Sequence, residues 1–179
     1  MKSFNQRIKL QIFAILSYFN PMSNQHSFSN ISDMIMYLPE GSRLLGLDIG
    51  SKTIGLAISD SKFTVAAALN TIQRTKFNED AEQLEKIIKD RFIGGLVIGL
   101  PISMDGQEGP ACQSVRQFGT NLLAKFETYI TFWDERLSTS AVQRFLINDA
   151  DITRKRRKKI IDKLAAAYIL QGAIDSISR

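Results

Sequence analysis

The chain is nearly devoid of the residues on which thiolate, disulfide and histidine chemistry depend. It holds one cysteine, Cys112, and one histidine, His26, so neither an intrachain disulfide nor a Cys/His zinc cluster can form. Any catalysis must run on carboxylates, lysines, hydroxyls or a bound metal ion. Scarce cysteine also fits a reducing compartment, and a cytoplasmic location is expected. His26 lies in the polar stretch Ser23-Asn24-Gln25-His26-Ser27 and reads as a loop residue without a role. Acid is absent from residues 1–32, which carry Lys2, Arg7 and Lys9 ahead of Ile12-Phe13-Ala14-Ile15-Leu16. That resembles the opening of a signal peptide. The apolar stretch is short, however, and Asn20-Pro21 stands where a small-residue cleavage site belongs. It also falls below the roughly 20 apolar residues of a membrane span, so no membrane partner is expected. Residues 1–30 are expected to form an extension, either flexible or the product of a misassigned start. Met22 is the first alternative start and Met34 or Met36 the next. Residues 31–179 then form a single domain.

What is present is ordinary for a globular protein, with 44% hydrophobic and 23% charged residues. The formal net charge of +5 and the pI of about 9.4 point to an anionic partner. Residues 31–38 read as a short apolar helix stopped by Pro39-Glu40-Gly41. From Arg43 the pattern alternates strand and helix. Leu44–Ile49 is a continuously apolar strand, and Ile54–Ser59 and Val65–Gln73 complete an antiparallel meander, with Ser61-Lys62 in the tight connection. Phe77, Ala81, Leu84, Ile87 and Ile88 form one helical stripe, leaving Glu79, Asp80, Glu82, Glu85, Lys86 and Lys89 on the wet face. Gly94-Gly95 is expected to end that helix before a strand over Leu96–Leu100. A turn-rich loop over Ile102–Pro110 then leads into a helix over Ala111–Phe126 and a strand over Tyr129–Trp133. A helix capped by Ser138 or Thr139 is expected to reach Ile147, and a last helix to run from Arg156 to Ile177. This order predicts an α/β fold: a mixed five-stranded sheet, three strands in an antiparallel meander and two parallel, with helices on both faces.

Ligands gather at the carboxyl ends of the strands in such sheets. Asp48, set among apolar neighbours at the end of the first core strand, needs a partner or a cation, because an isolated buried charge costs several kcal/mol. Asp134-Glu135-Arg136 sits at another carboxyl end. Asp162 stands in the last helix, and the small residues three and four positions on, Ala165 and Ala166, let that helix approach the sheet. Carboxylates without histidine or cysteine suit Mg²⁺ or Mn²⁺. One ion activates water, and a pair about 3.5–4 Å apart would also steady the leaving oxygen of a phosphodiester. Asp134 and Glu135, adjacent on a strand, should point to opposite faces, so one of the two is expected to face the site. The run Arg154-Lys155-Arg156-Arg157-Lys158-Lys159 would gather nucleic-acid phosphates just ahead of Asp162. Arg136, and Lys52 with Thr53 in the turn after Asp48, complete the expected backbone contacts. Trp133 and Tyr168 read as core residues.

Four pieces occur in order: Leu45-Gly46-Leu47-Asp48-Ile49-Gly50-Ser51-Lys52-Thr53-Ile54-Gly55-Leu56-Ala57; Val97-Ile98-Gly99-Leu100-Pro101 with Met104-Asp105-Gly106 and Glu108-Gly109-Pro110; Asp134-Glu135-Arg136-Leu137-Ser138-Thr139; and Arg156-Arg157-Lys158 through Asp162-Lys163-Leu164-Ala165-Ala166 to Leu170-Gln171-Gly172. Together they resemble the YqgF family, also called RuvX or Holliday-junction-resolvase-like, whose bacterial members are assigned as nucleases of pre-16S rRNA. The resemblance implies an RNase H-like fold and metal-dependent cleavage of structured nucleic acid. It also implies processing of the 5′ end of the small ribosomal RNA precursor in the cytoplasm, with ribosomal particles as partners. Carried over, Asp48, Asp134 with Glu135, and Asp162 become the metal-site acids. Many RNase H-like nucleases place an acid at the end of the fourth strand. Here that strand ends Gly99-Leu100-Pro101, and the role passes to the fifth strand. Two alternatives stand beside a ribonuclease: a resolvase of branched DNA, for which a homodimer would match the two-fold substrate, and a non-catalytic nucleic-acid-binding module. An actin-like ATPase shares the Asp-x-Gly turn, but no second glycine-rich phosphate loop is present.

Overall fold

The computed structural model describes residues 26–136 and 154–177, residues 154–163 by their backbone alone. The expected helix over 138–147, the side chains of the basic run and the side chain of Asp162 lie outside the described residues. Six strands form one sheet: β1 (Ser27–Phe28), β2 (Arg43–Ile49), β3 (Thr53–Ser59), β4 (Ala66–Gln73), β5 (Ile93–Leu100) and β6 (Tyr129–Asp134), in the spatial order β1-β6-β5-β2-β3-β4. The helices are α1 (Ile31–Ile35), α2 (Phe77–Asp90), α3 (Pro110–Lys125) and α4 (Arg154–Asp175). The β2-β3-β4 meander is antiparallel, and β2, β5 and β6 are mutually parallel. This is the expected mixed α/β sheet with one strand more. The addition is β1, in which Ser27 and Phe28 pair in parallel with Ile130 and Thr131 of β6. His26 is part of that edge and not an idle loop residue. Its Nδ1 donates to the Thr128 carbonyl at 3.2 Å, and its ring stacks on Tyr129 at 5.5 Å.

The alternation of each strand sorts its residues between two cores. Leu45, Leu47, Ile54, Leu56, Leu96 and Ile98 face α2 and α3, whereas Leu44, Ala57 and Val97 face α1 and α4. Gly46 belongs to the second face. A Cβ there would lie 2.8 Å from Leu170 Cβ and 2.9 Å from the Ala166 carbonyl. The missing side chain is what lets α4 lie against β2, and Ala166 is the small residue at the crossing.

Two expectations need correction. Gly94 and Gly95 do not end α2; they lie inside β5. A side chain at Gly94 would strike the Ser42 hydroxyl, and one at Gly95 would meet Leu38 and Met34 at 3.1 Å, so these glycines serve close packing against α1 and the segment after it. The left-handed residue between α2 and β5 is instead Phe92, at φ +52°. Asp80 is not on the wet face of α2 but fully buried, its Oδ1 accepting from the Thr75 N–H and hydroxyl. The expected core residue Trp133 packs beside Gly172 of α4, where a Cβ would stand 3.1 Å from its indole nitrogen.

Candidate functional site

The carboxyl ends of β2, β5 and β6 form one edge of the sheet. Asp48 lies near the end of β2, on the same face as Gly46 and so on the side covered by α4. β5 contributes Gly99 at that level: Leu47 pairs with Ile98, and Gly99 with Trp133. In β6, Phe132 faces Gly119 of α3 and Trp133 faces Gly172 of α4. Alternation then sends Asp134 toward α3 and Glu135 toward α4. The Glu135 backbone keeps this register by donating to the Leu100 carbonyl at 3.2 Å.

Glu135 is two strands away from Asp48, a span of about 9.6 Å at roughly 4.8 Å per strand. Its side chain crosses that gap by lying over Gly99. A Cβ at residue 99 would overlap the Glu135 carboxylate and come within 2.5 Å of Ile169 Cδ1. The strand that lacks an acid therefore supplies the space through which the acid of the next strand reaches the first. Electrostatics agree with this geometry. Burial first, then the charges of Asp48 and Asp134, push the Glu135 carboxyl up to about 7.

Asp134 has a different engagement. Arg136 donates to it from its backbone N–H at 3.0 Å, from Nε at 2.9 Å and from Nη2 at 2.6 Å. The guanidinium bonds hold the Asp134 carboxyl below its ordinary range. The structure thus divides the Asp134–Glu135 pair: Glu135 faces Asp48, and Asp134 fixes Arg136. Arg136 sits beside the loop after β5, where a Cβ on Gly106 would stand 3.6 Å from its Nη1. That loop is tied down by Arg116, which donates to Glu108 at 2.8 and 2.5 Å and lies 4.9 Å over the Phe132 ring.

The last helix is oriented by Gln171. Its Oε1 accepts from the Ala66 N–H at 2.8 Å and its Nε2 donates to the Thr64 carbonyl at 3.3 Å, at the sheet edge opposite the acids. With Ala166 at Gly46, the amino-terminal half of α4 points to the acidic edge. Position 162 is one turn ahead of Ala166 on that half. Among the described residues no three His, Cys, Asp or Glu side chains converge as a metal cluster. Lys52 is exposed and Thr53 half-buried in the turn after Asp48, and Gly50 donates to the Thr53 carbonyl at 2.9 Å. No sequence signal singled out Arg74, which reaches this turn from the end of β4. A lone arginine between a strand and a helix has no local signature. For Gly99 the sequence offers one signal, a glycine at the end of a strand that neighbours an acid-bearing strand.

Residues 42–176 match the family model described as RuvX: Holliday junction resolvase. The chain is similar to a Rhodospirillum centenum protein named "Putative pre-16S rRNA nuclease", with 54% identity over 153 residues, covering 83% of this chain and 81% of that one. A protein of the same name from Paramagnetospirillum magneticum is 55% identical over 147 residues, covering 82% and 94%. Among solved structures, Thermus thermophilus RuvC in complex with a Holliday junction substrate gives a TM-score of 0.46 at 12% identity, covering 75% of this chain and 94% of that one. A likeness of that size carries no functional weight.

Proposed function

The chain belongs to the RuvX family, and from that premise we propose that it is a metal-dependent endonuclease that processes the 5′ end of pre-16S rRNA in the cytoplasm. The observation that carries this reading is the approach of Glu135 to Asp48 across Gly99 at the carboxyl edge of the sheet. The donor set fits a hard divalent cation. Two carboxyl groups face each other closely enough for the charge of one to raise the pKa of the other, a repulsion a cation would relieve. Asp48 and Glu135 would hold Mg²⁺ or Mn²⁺, as one ion or two, with Asp162 as a donor from α4. When bound, such an ion lowers the pKa of a water and offsets charge on the scissile phosphate. Asp134 fits this role less well, because its carboxylate is already engaged by Arg136. Its part is to aim the Arg136 guanidinium, a bidentate phosphate ligand, along the rim beside Gly106. Lys52 and Thr53 guide the RNA backbone on the opposite side of Asp48. The basic run Arg154–Lys159 draws the strand toward the same edge and supplies the salt-dependent part of binding. No helix among the described residues is long and apolar enough to cross a membrane.

The family description favours a second reading, a resolvase of branched DNA, which would need a homodimer to match a two-fold substrate. One assay separates the two. Purified protein is given a precursor RNA extended upstream of the mature small-subunit 5′ end and, in parallel, a four-way DNA junction. Cleavage of the RNA alone, with Mg²⁺ or Mn²⁺ and lost in chelator, is the expected result. Asp48→Asn should abolish cutting while binding persists. Equal cleavage by wild type and Asp48→Asn would remove Asp48 from the site.

A further inference from the structure

The turn that follows Asp48 is braced from outside its own hairpin. Gly50 and Thr53 close it with one backbone bond, and Arg74 supplies two more. The Arg74 N–H donates to the Lys52 carbonyl at 2.9 Å, and Arg74 Nη1 donates to the Gly50 carbonyl at 2.8 Å. The far side of the same guanidinium is fixed as well. Its Nε lies 3.7 Å from Asp80 Oδ2, and its central carbon sits 5.4 Å from the Phe118 ring centroid. The Asp80 side chain is 1% exposed, and among the described residues its Oδ2 finds no hydrogen bond. A buried carboxylate in that state needs a cation beside it, and Arg74 is the one the fold provides. The arginine plane therefore joins the first turn of α2 to the turn at the acidic edge. A lysine, with one point charge on a flexible stem, cannot hold both ends at once.

We propose that Arg74 is a positioning residue of the nuclease site: by gripping the Gly50 carbonyl and the Lys52 backbone it fixes Asp48 opposite Glu135 and presents Lys52 and Thr53 to the nucleic-acid backbone. The proposal rests on the nuclease reading above, but the brace itself can be measured without catalysis. Asp80, buried in the first turn of α2, is the anchor that keeps the guanidinium in the plane the turn requires.

The test compares Arg74→Lys, Arg74→Met and the double variant Arg74→Met/Asp80→Asn. The double variant removes the buried charge together with its partner, so that it folds even if Arg74→Met alone does not. Amide hydrogen exchange over residues 48–53 and thermal unfolding are read first, then kcat and KM on the precursor RNA. Arg74→Lys keeps the cation near Asp80 but loses the fork. It should unfold near the wild-type temperature, yet exchange about tenfold faster in the turn, lose roughly 10- to 100-fold in kcat, since small misplacements of catalytic groups cost that much, and raise KM several-fold as Lys52 and Thr53 lose their placement. The double variant should show the same pattern. A merely structural arginine would instead give rates that follow unfolding temperature. Wild-type exchange in the turn for both Arg74→Lys and the double variant, or faster exchange with unchanged kcat, overturns the proposal. If wild type cuts neither RNA nor junction, the nuclease reading fails, while the exchange comparison still decides whether Arg74 holds the turn.

Discussion

Replacing Gly99 with alanine tests the central geometry most directly. The added Cβ would overlap the Glu135 carboxylate and stand 2.5 Å from Ile169 Cδ1. Both are the far ends of side chains, so the fold can yield. A strand glycine replaced by alanine gains about 0.5–1 kcal/mol of backbone entropy, and overpacking costs about 1–3 kcal/mol. The net loss is about 1–2 kcal/mol, a fall in Tm of roughly 2–8 °C for a chain of this size. Catalysis has less tolerance. The carboxylate that crosses residue 99 must be displaced, and a misplacement of about 1 Å costs on the order of 10²-fold in rate. Gly94→Ala is the matched control. It lies in the same strand but at the opposite end, where the new Cβ would press on the Ser42 hydroxyl and sit 3.2 Å from Pro39 Cδ. That variant should lose at least as much stability and keep its single-turnover rate within about twofold. The reasoning is refuted if Gly99→Ala cleaves like wild type in saturating Mn²⁺, or if both variants lose rate in proportion to their loss of stability.

The Glu135 carboxyl, at about 7 instead of 4.5, holds more protons folded than unfolded, so metal-free stability present below about pH 4.5 is lost as pH rises through about 7. Glu135→Gln does not titrate, and in chelator its stability relative to wild type should rise between pH 4.5 and 8 by on the order of 1–3 kcal/mol, allowing for screening of a half-buried group; parallel Tm–pH curves would contradict this. Asp134→Asn should loosen Arg136 and raise KM for RNA several-fold with a smaller effect on kcat, the reverse of what Asp48→Asn should do, and steady-state kinetics distinguish the two. Neutralising Lys155 and Arg157 together should lower the slope of log Kd against log salt by about 1.4 on a single-stranded substrate, if each meets one phosphate, and an unchanged slope would take the basic run out of the binding surface.

What could be read from the sequence follows the range of the forces involved. Leu44–Ile49 and Leu96–Leu100 are continuous apolar runs because strands covered on both faces have no wet side. The identity and edge of these strands are therefore local facts. The candidate site acids are inferred from the same logic, since a carboxylate at the tip of a buried strand needs a ligand, and the structure brings Asp48 and Glu135 to one edge. Strand alternation also predicted that only one of Asp134 and Glu135 would face the site, and the contacts of Phe132 and Trp133 place Glu135 on the Asp48 side. The misreadings of Gly94-Gly95 and of Ser27–Phe28 are non-local. Gly94-Gly95 resembles a helix stop because glycine is a local signal of chain breaks, whereas here it answers Ser42 and Met34, brought close only by the fold. Ser27–Phe28 is too short to show a period, and it becomes a strand only because β6 offers an open edge.

Asp80 is a case of another kind. Helical periodicity sorts residues by angle, and at about 100° per residue Asp80 falls between Leu84 and Ile87, inside the apolar stripe of α2, so that its charge alone and not its angle placed it with Glu79 and Glu82. Its burial follows from that angle, and the segment just before the helix satisfies the carboxylate: Thr75 donates to it twice and Arg74 approaches from the end of β4. A carboxylate at an apolar position of a helix is costly to bury unless it is hydrogen-bonded and paired with a cation. In this chain the cation is the Arg74 guanidinium, which carries the constraint from Asp80 to the Gly50 carbonyl, two residues past Asp48. The buried acid of α2 and the acid at the end of β2 thus belong to one chain of contacts. It passes through side chains that no spacing rule in the sequence connects.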